Sequence, residues 1–155
     1  MSKSLRRVKA ALAELGLEDT ICETSGTTTA QMAADAVGCD MDQIGKSIIF
    51  QIGASNQVVS FIPTGGQQVD RRKAAVIVRE TLTKADAALI RATTGFAIGG
   101  VSPVGHKIPC TIYFDETLLE YDEIWVAAGT PNYVFRISPD LLSQKISAQI
   151  SDFII

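Results

Sequence analysis

Residues 93–109, TTGFAIGGVSPVGHKIP, concentrate the groups from which a reactive site could be built. Gly95, Gly99, Gly100 and Gly105 share this segment with Pro103 and with His106, the one histidine of the chain. Glycine in regular structure carries an entropic cost, so such a cluster implies that something approaches the backbone closely. Gly99-Gly100-Val101-Ser102-Pro103 forms a G-x-x-x-P turn. Its glycines admit a ligand to the main chain, and its proline fixes one dihedral. N–H groups presented in this way suit a carbonyl oxygen or a phosphate. No G-K-[ST] closes the segment and no helical pattern follows it, which excludes a P-loop. Lys46 is the second candidate: it follows Gly45 and opens the apolar run Ile48-Ile49-Phe50. A lysine at a strand mouth either snorkels to water or meets an anion. Facing the glycine turn, it would complete an anion site.

Nucleophilic and metal chemistry have fewer materials. A single histidine excludes zinc sites that need two. Cys22, Cys39 and Cys110 would have to converge on His106, and no pair of them has ligand spacing. Cys110 and His106 could meet in space as nucleophile and base, although the apolar surroundings of Cys110 fit a core thiol. Ser102, His106 and Asp115 are triad residue types, but all three crowd one loop and the strand after it.

The elements that must position these residues follow from periodicity and caps. Leu5, Val8, Leu12 and Leu15 recur at helical spacing ahead of Gly16, and a short strand over 20–23 follows. Thr28 and Gln31 form a capping box for AQMAADAV, which Gly38 closes. KSIIFQIG and QVVSFIP, separated by ASN, predict a hairpin. Asp70 caps a helix to about Glu80, and Asp86 a shorter one to Ala92. FAIGG, CTIYFD, EIWVAAG and YVFRI read as strands; Ser138-Pro139 starts a last helix, and ISDFII reads as a closing strand. Without steady βαβ alternation, the class is α+β, a mixed and largely antiparallel sheet with helices packed on it.

Composition bounds the function. The 155 residues, 46% hydrophobic and 20% charged, suit one globular domain over 1–155. No apolar run is longer than Ala74 to Val78, which is too short to span a bilayer, and the basic N-terminus reads as an amphipathic helix rather than a signal peptide. Three cysteines without C-x-x-C spacing fit a reduced, cytoplasmic setting. A net charge of −3 opposes broad coating of nucleic acid but permits contact with a nucleic-acid end. The basic clusters LRRVK and DRRK read as solvated helix faces.

In their order along the chain, IGKSIIF, TTGFAIGGVSPVGH and TIYFDETLLEYDEIWVAAGTPNYVFRISPDLL resemble the YbaK/ProX family of free-standing aminoacyl-tRNA deacylases, relatives of the insertion editing domain of prolyl-tRNA synthetase. The resemblance runs from about Leu5 to Ile154. It implies a curved mixed sheet flanked by helices and hydrolysis of the ester joining a wrong amino acid to transfer RNA, commonly proline transfer RNA. The implied partners are the aminoacyl-tRNA acceptor end and prolyl-tRNA synthetase, with no cofactor, no metal and no membrane, for a monomer or weak homodimer. Carried over by residue, the implied catalytic positions are Lys46, Gly100, Ser102 and Asp115. Gly99, Val101, Pro103 and Gly129 would bind substrate, with Gly129 walling the pocket. His106 takes no catalytic role from the resemblance.

On this reading Gly99 and Gly100 clear space for the aminoacyl ester, N–H groups near Ser102 polarise its carbonyl, and Lys46 is a positioning cation braced by Asp115. A charged lysine is a poor base, which leaves the 2′-hydroxyl of the substrate ribose to assist the attacking water. Two rivals stay open: a binding module that leaves the ester intact, and a hydrolase of small esters or peptides acting through Cys110 or Ser102. The identity of the removed residue (cysteine, alanine, serine, threonine or a non-protein amino acid) also stays open.

Overall fold

The computed structural model describes residues 2–25 and 29–155. Its elements run α1 (Lys3–Glu14), β1 (Cys22–Glu23), α2 (Ala30–Val37), β2 (Ile44–Gly45), β3 (Ile48–Ile52), β4 (Val58–Ile62), α3 (Arg71–Val78), β5 (Leu82–Lys84), α4 (Ala87–Thr94), β6 (Ile112–Asp115), β7 (Ile124–Ala127), β8 (Tyr133–Ile137), α5 (Pro139–Lys145) and β9 (Gln149–Ser151). Short 3₁₀ turns cover Met41–Gln43 and Glu116–Glu120. The α+β class and mixed pairing agree with the sequence reading.

The strands divide into two sheets, ordered β1-β8-β7-β2 and β5-β3-β4-β6-β9. Four pairings are antiparallel, while β2–β7, β4–β6 and β6–β9 are parallel. β4 is buried along its whole length because both faces are covered, which explains an apolar run broken only by Ser60. On one face Val58 and Ile62 join the main core with Leu5, Val8, Leu12, Phe96, Phe114 and Phe135. On the other, Phe61 stacks on Tyr113 with ring centroids 4.9 Å apart and meets Phe50 and Phe153 edge-on. Phe153, fully buried, seals this second core, and removing such a side chain from water contributes about 1.5–3 kcal/mol.

Local chemistry set most helix ends as expected. Asp70, Asp86 and Ser138 cap α3, α4 and α5 through their side chains, and Gly38 terminates α2 in left-handed conformation; α4 runs to Thr94, two residues past the expected Ala92, where left-handed Gly95 ends it. Thr28, expected to cap α2, lies outside the described residues; Thr29 accepts the Met32 N–H at 3.1 Å instead. The α3 helix ends at Val78, earlier than expected, with Arg79 at φ 64°. The largest correction concerns FAIGG, which is no strand. Gly95 stops α4, and the Gly100 N–H donates to the Ala97 carbonyl at 3.1 Å, closing a turn. The apolar side chains Phe96 and Val101 instead anchor this turn in the main core. The short strands β2 and β5 were not foreseen; each is recognisable only through its partner.

Candidate active site

The two sheets meet where β2 runs into β3. Gly45 pairs with Val126 in the first sheet and bridges to Thr64 beside the second. A Cβ at Gly45 would lie 3.1 Å from Val126 Cγ1 and 3.2 Å from Ile62 Cγ2, so a side chain would press the two sheets apart. Lys46 follows at once and is exposed. Its own N–H donates to the Pro63 carbonyl at 3.3 Å, which keeps the chain extended into β3.

Lys46 opens into a cleft of about 440 Å³. One wall is the outer face of β7 and β8 with Trp125, Ala127 and Val134, covered by Ala30 and Ala33 of α2. The opposite wall is the glycine turn, through Ile98, Gly99 and Val101, and Thr130 and Pro131 close the side between them. Ile49, Ala85 and Ile90 contribute apolar surface. Lys46, Arg71 and Lys84 are the charged residues of the lining, and no carboxylate is among the described residues that form it. Unpaired cations are ordinary on an open surface; three in one concavity without an acid make a site for negative charge.

Of the eight residues singled out in the sequence, Lys46, Gly99 and Val101 line the cleft, and the other five stand behind it. Gly99 holds φ 87°, a left-handed conformation that favours glycine. The N–H groups of Gly99 and Val101 have no hydrogen-bond partner among the described residues, unlike that of Gly100. Buried N–H groups are almost always paired, and Val101 is 6% exposed; an acceptor entering here would satisfy it. Gly100 is glycine for another reason than ligand clearance. A Cβ there would sit 2.7 Å from Thr130 Cα and 2.9 Å from its carbonyl carbon, so Gly100 lets the turn pack on the 128–132 loop. Gly129, at φ 98°, similarly abuts α1, with a Cβ falling 2.7 Å from the Ser4 carbonyl oxygen. It shapes the loop that presents Thr130 and Pro131 rather than forming the wall itself.

Ser102, Pro103 and Asp115 are buried. The Asp115 carboxylate accepts the Thr117 N–H at 3.1 Å and the Thr117 hydroxyl at 2.8 Å, capping the 3₁₀ turn that follows β6. It makes no ion pair with Lys46, so the expected brace is absent and its place is taken by this cap. The Ser102 hydroxyl oxygen accepts the Val104 N–H at 3.3 Å. His106 meets Ser102 through the main chain: its Nε2 lies 2.7 Å from the Ser102 carbonyl oxygen, which can only accept, so Nε2 carries the proton. Nδ1 is then the acceptor for the Cys110 thiol, 3.7 Å away. Burial pushes the His106 pKa below its ordinary value, with the Ser102 hydrogen bond opposing in part. Burial also raises Cys110 to about 11. Ser102, His106 and Asp115 therefore form no relay, and the Cys110 thiol stays un-ionised at neutral pH.

Sequence reasoning missed Arg71, Lys84, Trp125 and Thr130. Arg71 was visible within DRRK but read as a solvated helix face; nothing local distinguishes it from Arg72. Half-buried Trp125 packs against Ala33, Ala34 and Ile44, contacts that only the tertiary fold creates.

Comparison with known proteins places these residues in context. The model of the aminoacyl-tRNA editing domain matches residues 24–144. A solved structure described as "a putative trans-editing enzyme for prolyl tRNA synthetase" superposes with a TM-score of 0.94 at 40% identity, covering 100% of this chain and 99% of the other. The "Putative Cys-tRNA(Pro)/Cys-tRNA(Cys) deacylase EbsC" of Enterococcus faecalis is 28% identical, over 80% of this chain and 76% of that protein. The proline–tRNA ligase of Lactobacillus helveticus is 30% identical across 73% of this chain, a match to 20% of that enzyme's length.

Proposed function

The chain belongs to the aminoacyl-tRNA editing domain family and is an aminoacyl-tRNA deacylase; from that premise we propose that it clears mischarged proline transfer RNA in trans, with the substrate's own 2′-hydroxyl assisting hydrolysis. The observation that carries this reading is the cleft itself, where exposed Lys46 shares one concavity with the unpaired N–H groups of Gly99 and Val101. Donors fixed before reaction stabilise the oxyanion that develops when an ester carbonyl is attacked, and they need no reorganisation to do so. The names borne by the Enterococcus relative and the trans-editing structure support proline transfer RNA as the carrier. The likeness to a stretch of a proline–tRNA ligase supports prolyl-tRNA synthetase as the companion enzyme, and a role in editing transfer RNA fits the cytoplasm.

In this mechanism the terminal adenosine enters with its base against the half-buried indole of Trp125, a flat surface suited to stacking. The Val101 and Gly99 N–H groups receive the ester carbonyl oxygen. Lys46 holds the negative charge of the nucleotide and thereby fixes the ester's orientation. Water adds to the carbonyl carbon, and the tetrahedral intermediate collapses by breaking the bond to the ribose 3′-oxygen, which leaves as the hydroxyl. Among the described residues the lining holds no histidine and no carboxylate to serve as the general base. The adjacent 2′-hydroxyl is positioned by the substrate to orient the water and relay its proton.

The test compares mischarged proline transfer RNA with the same molecule ending in 2′-deoxyadenosine, both carrying the 3′-ester. Binding should be similar, and single-turnover hydrolysis of the deoxy form at least a hundredfold slower. Equal rates would end the substrate-assisted mechanism.

A further inference from the structure

We propose that Arg71 and Lys84 form a second anion grip, binding phosphates of the nucleotides that precede the terminal adenosine. The inference rests on the reading of the cleft as an aminoacyl-tRNA site. Phe50 gathers the two cations. Lys84 lies directly opposite Phe50 in the β3–β5 ladder, and side chains so paired share one face of the sheet. The Arg71 guanidinium sits 5.9 Å from the centre of the Phe50 ring, a contact that orients its fork while leaving its N–H groups free for a planar or tetrahedral anion.

The two acidic groups closest to this pair in sequence are engaged elsewhere. Asp70 caps α3 by accepting the Arg72 and Lys73 N–H groups, and Asp86 caps α4 by accepting the Leu89 N–H. Neither lines the cleft, nor do Arg71 and Lys84 make an ion pair among the described residues. This positive corner stands in a chain of net charge −3, so it is local rather than part of a general basic surface.

Spacing identifies the ligand as a strand rather than one small anion. Lys46 and Phe50 lie four residues apart along extended chain, which separates their backbone positions by about 13 Å. Successive phosphates of a stacked strand advance only ~3.4 Å along the axis, so a ligand touching both grips extends over more than one nucleotide. Single-stranded acceptor RNA has this reach, and Arg and Lys contacts to its phosphates carry affinity without reading sequence.

The experiment measures Arg71→Gln/Lys84→Gln on two substrates: full-length mischarged transfer RNA, and the corresponding 3′-aminoacyl-adenosine, which lacks the upstream phosphates. On transfer RNA, KM should rise at least tenfold while kcat changes less than threefold. The penalty in kcat/KM should be at least tenfold smaller on aminoacyl-adenosine. The slope of log(kcat/KM) against log[salt] should flatten by about 1.4, the counterion release of two single-strand contacts. The charge-keeping pair Arg71→Lys/Lys84→Arg, with a matching melting curve, should restore most of the affinity. An equal penalty on both substrates, or an unchanged salt slope, overturns the grip while leaving the deacylase reading intact. A wild-type protein that hydrolysed neither substrate would bring down both.

Discussion

Two neighbouring regions hold this protein's most reactive residue types, and they are built in opposite ways. The Ser102–His106–Cys110 cluster, which looks catalytic on paper, is closed upon itself. The Ser102 hydroxyl oxygen accepts a backbone N–H, His106 donates to the Ser102 carbonyl, and Cys110 spends its thiol on the imidazole. On the far side of the same loop, the cleft exposes a lysine and main-chain N–H groups that have no partner among the described residues. The contrast teaches that satisfied polar groups hold the turn in shape, while unsatisfied ones are turned to the open cleft. Side chains of catalytic type act here as scaffold, and the backbone and a cation face the cleft.

The contrast breaks first at Lys46. Lys46→Ala should lower kcat/KM at least a hundredfold, about 2.7 kcal/mol of transition-state stabilisation. Its melting temperature should stay within about 2 °C of wild type, since an exposed lysine contributes little packing. A fully active variant would remove Lys46 from the site.

Gly100→Ala sharpens the distinction between ligand clearance and loop packing. The added methyl meets the Thr130 backbone, and such overpacking costs about 1–3 kcal/mol. Thermal unfolding should shift down by several degrees, with activity falling as the turn is displaced. Lost activity with an unchanged melting curve would mean that the glycine serves the ligand after all.

His106 supplies a smaller, pH-dependent effect. Its folded pKa is lowered from 6.5 by burial, so on acidification the unfolded chain takes the proton first and the native state loses stability. That loss starts as pH falls through 6.5 and continues down to the folded value, with a slope of at most about 1.4 kcal/mol per pH unit. Denaturant unfolding between pH 7.5 and 5 should show the slope in the wild type and a flatter line in His106→Gln. This variant should also keep more than a tenth of the hydrolytic rate; a folded but inactive one would return His106 to the list of bases.

The smallest change is expected at Cys110. With its pKa at about 11, roughly one thiol in a thousand is ionised at pH 8, so alkylation of the native protein should be slow. Cys110→Ala should keep activity within threefold. Rapid labelling accompanied by inactivation would favour the thiol hydrolase instead.

What the sequence disclosed depended on how far each signal had to reach. Asp70, Asp86 and Ser138 were legible as caps because each bonds a backbone N–H only two or three residues away. Lys46 and the glycine turn stood out because their residue types are costly in such apolar surroundings. FAIGG misled because its apolar residues alternate like a strand, while the glycines that end α4 and close the turn decide the geometry. The purpose of Gly100 depends on Thr130, thirty residues on, and no local pattern encodes that contact. Arg71 and Lys84 likewise become one feature only when Phe50 brings a helix and a strand together.

The seat of α1 carries a kinetic consequence. Its first turns bear on Gly129, and Arg7 and Ala11 lie against Gly105, so one helix backs both loops that frame the cleft. Those partners lie roughly a hundred residues away along the chain. Contacts of such long sequence separation carry a large loop-closure entropy and form slowly. The hairpin of β3 and β4, whose contacts are local, can precede them. The cleft should therefore mature late: refolding followed by far-ultraviolet dichroism should run ahead of the return of hydrolysis, and substitutions at the α1 seat should lengthen that interval.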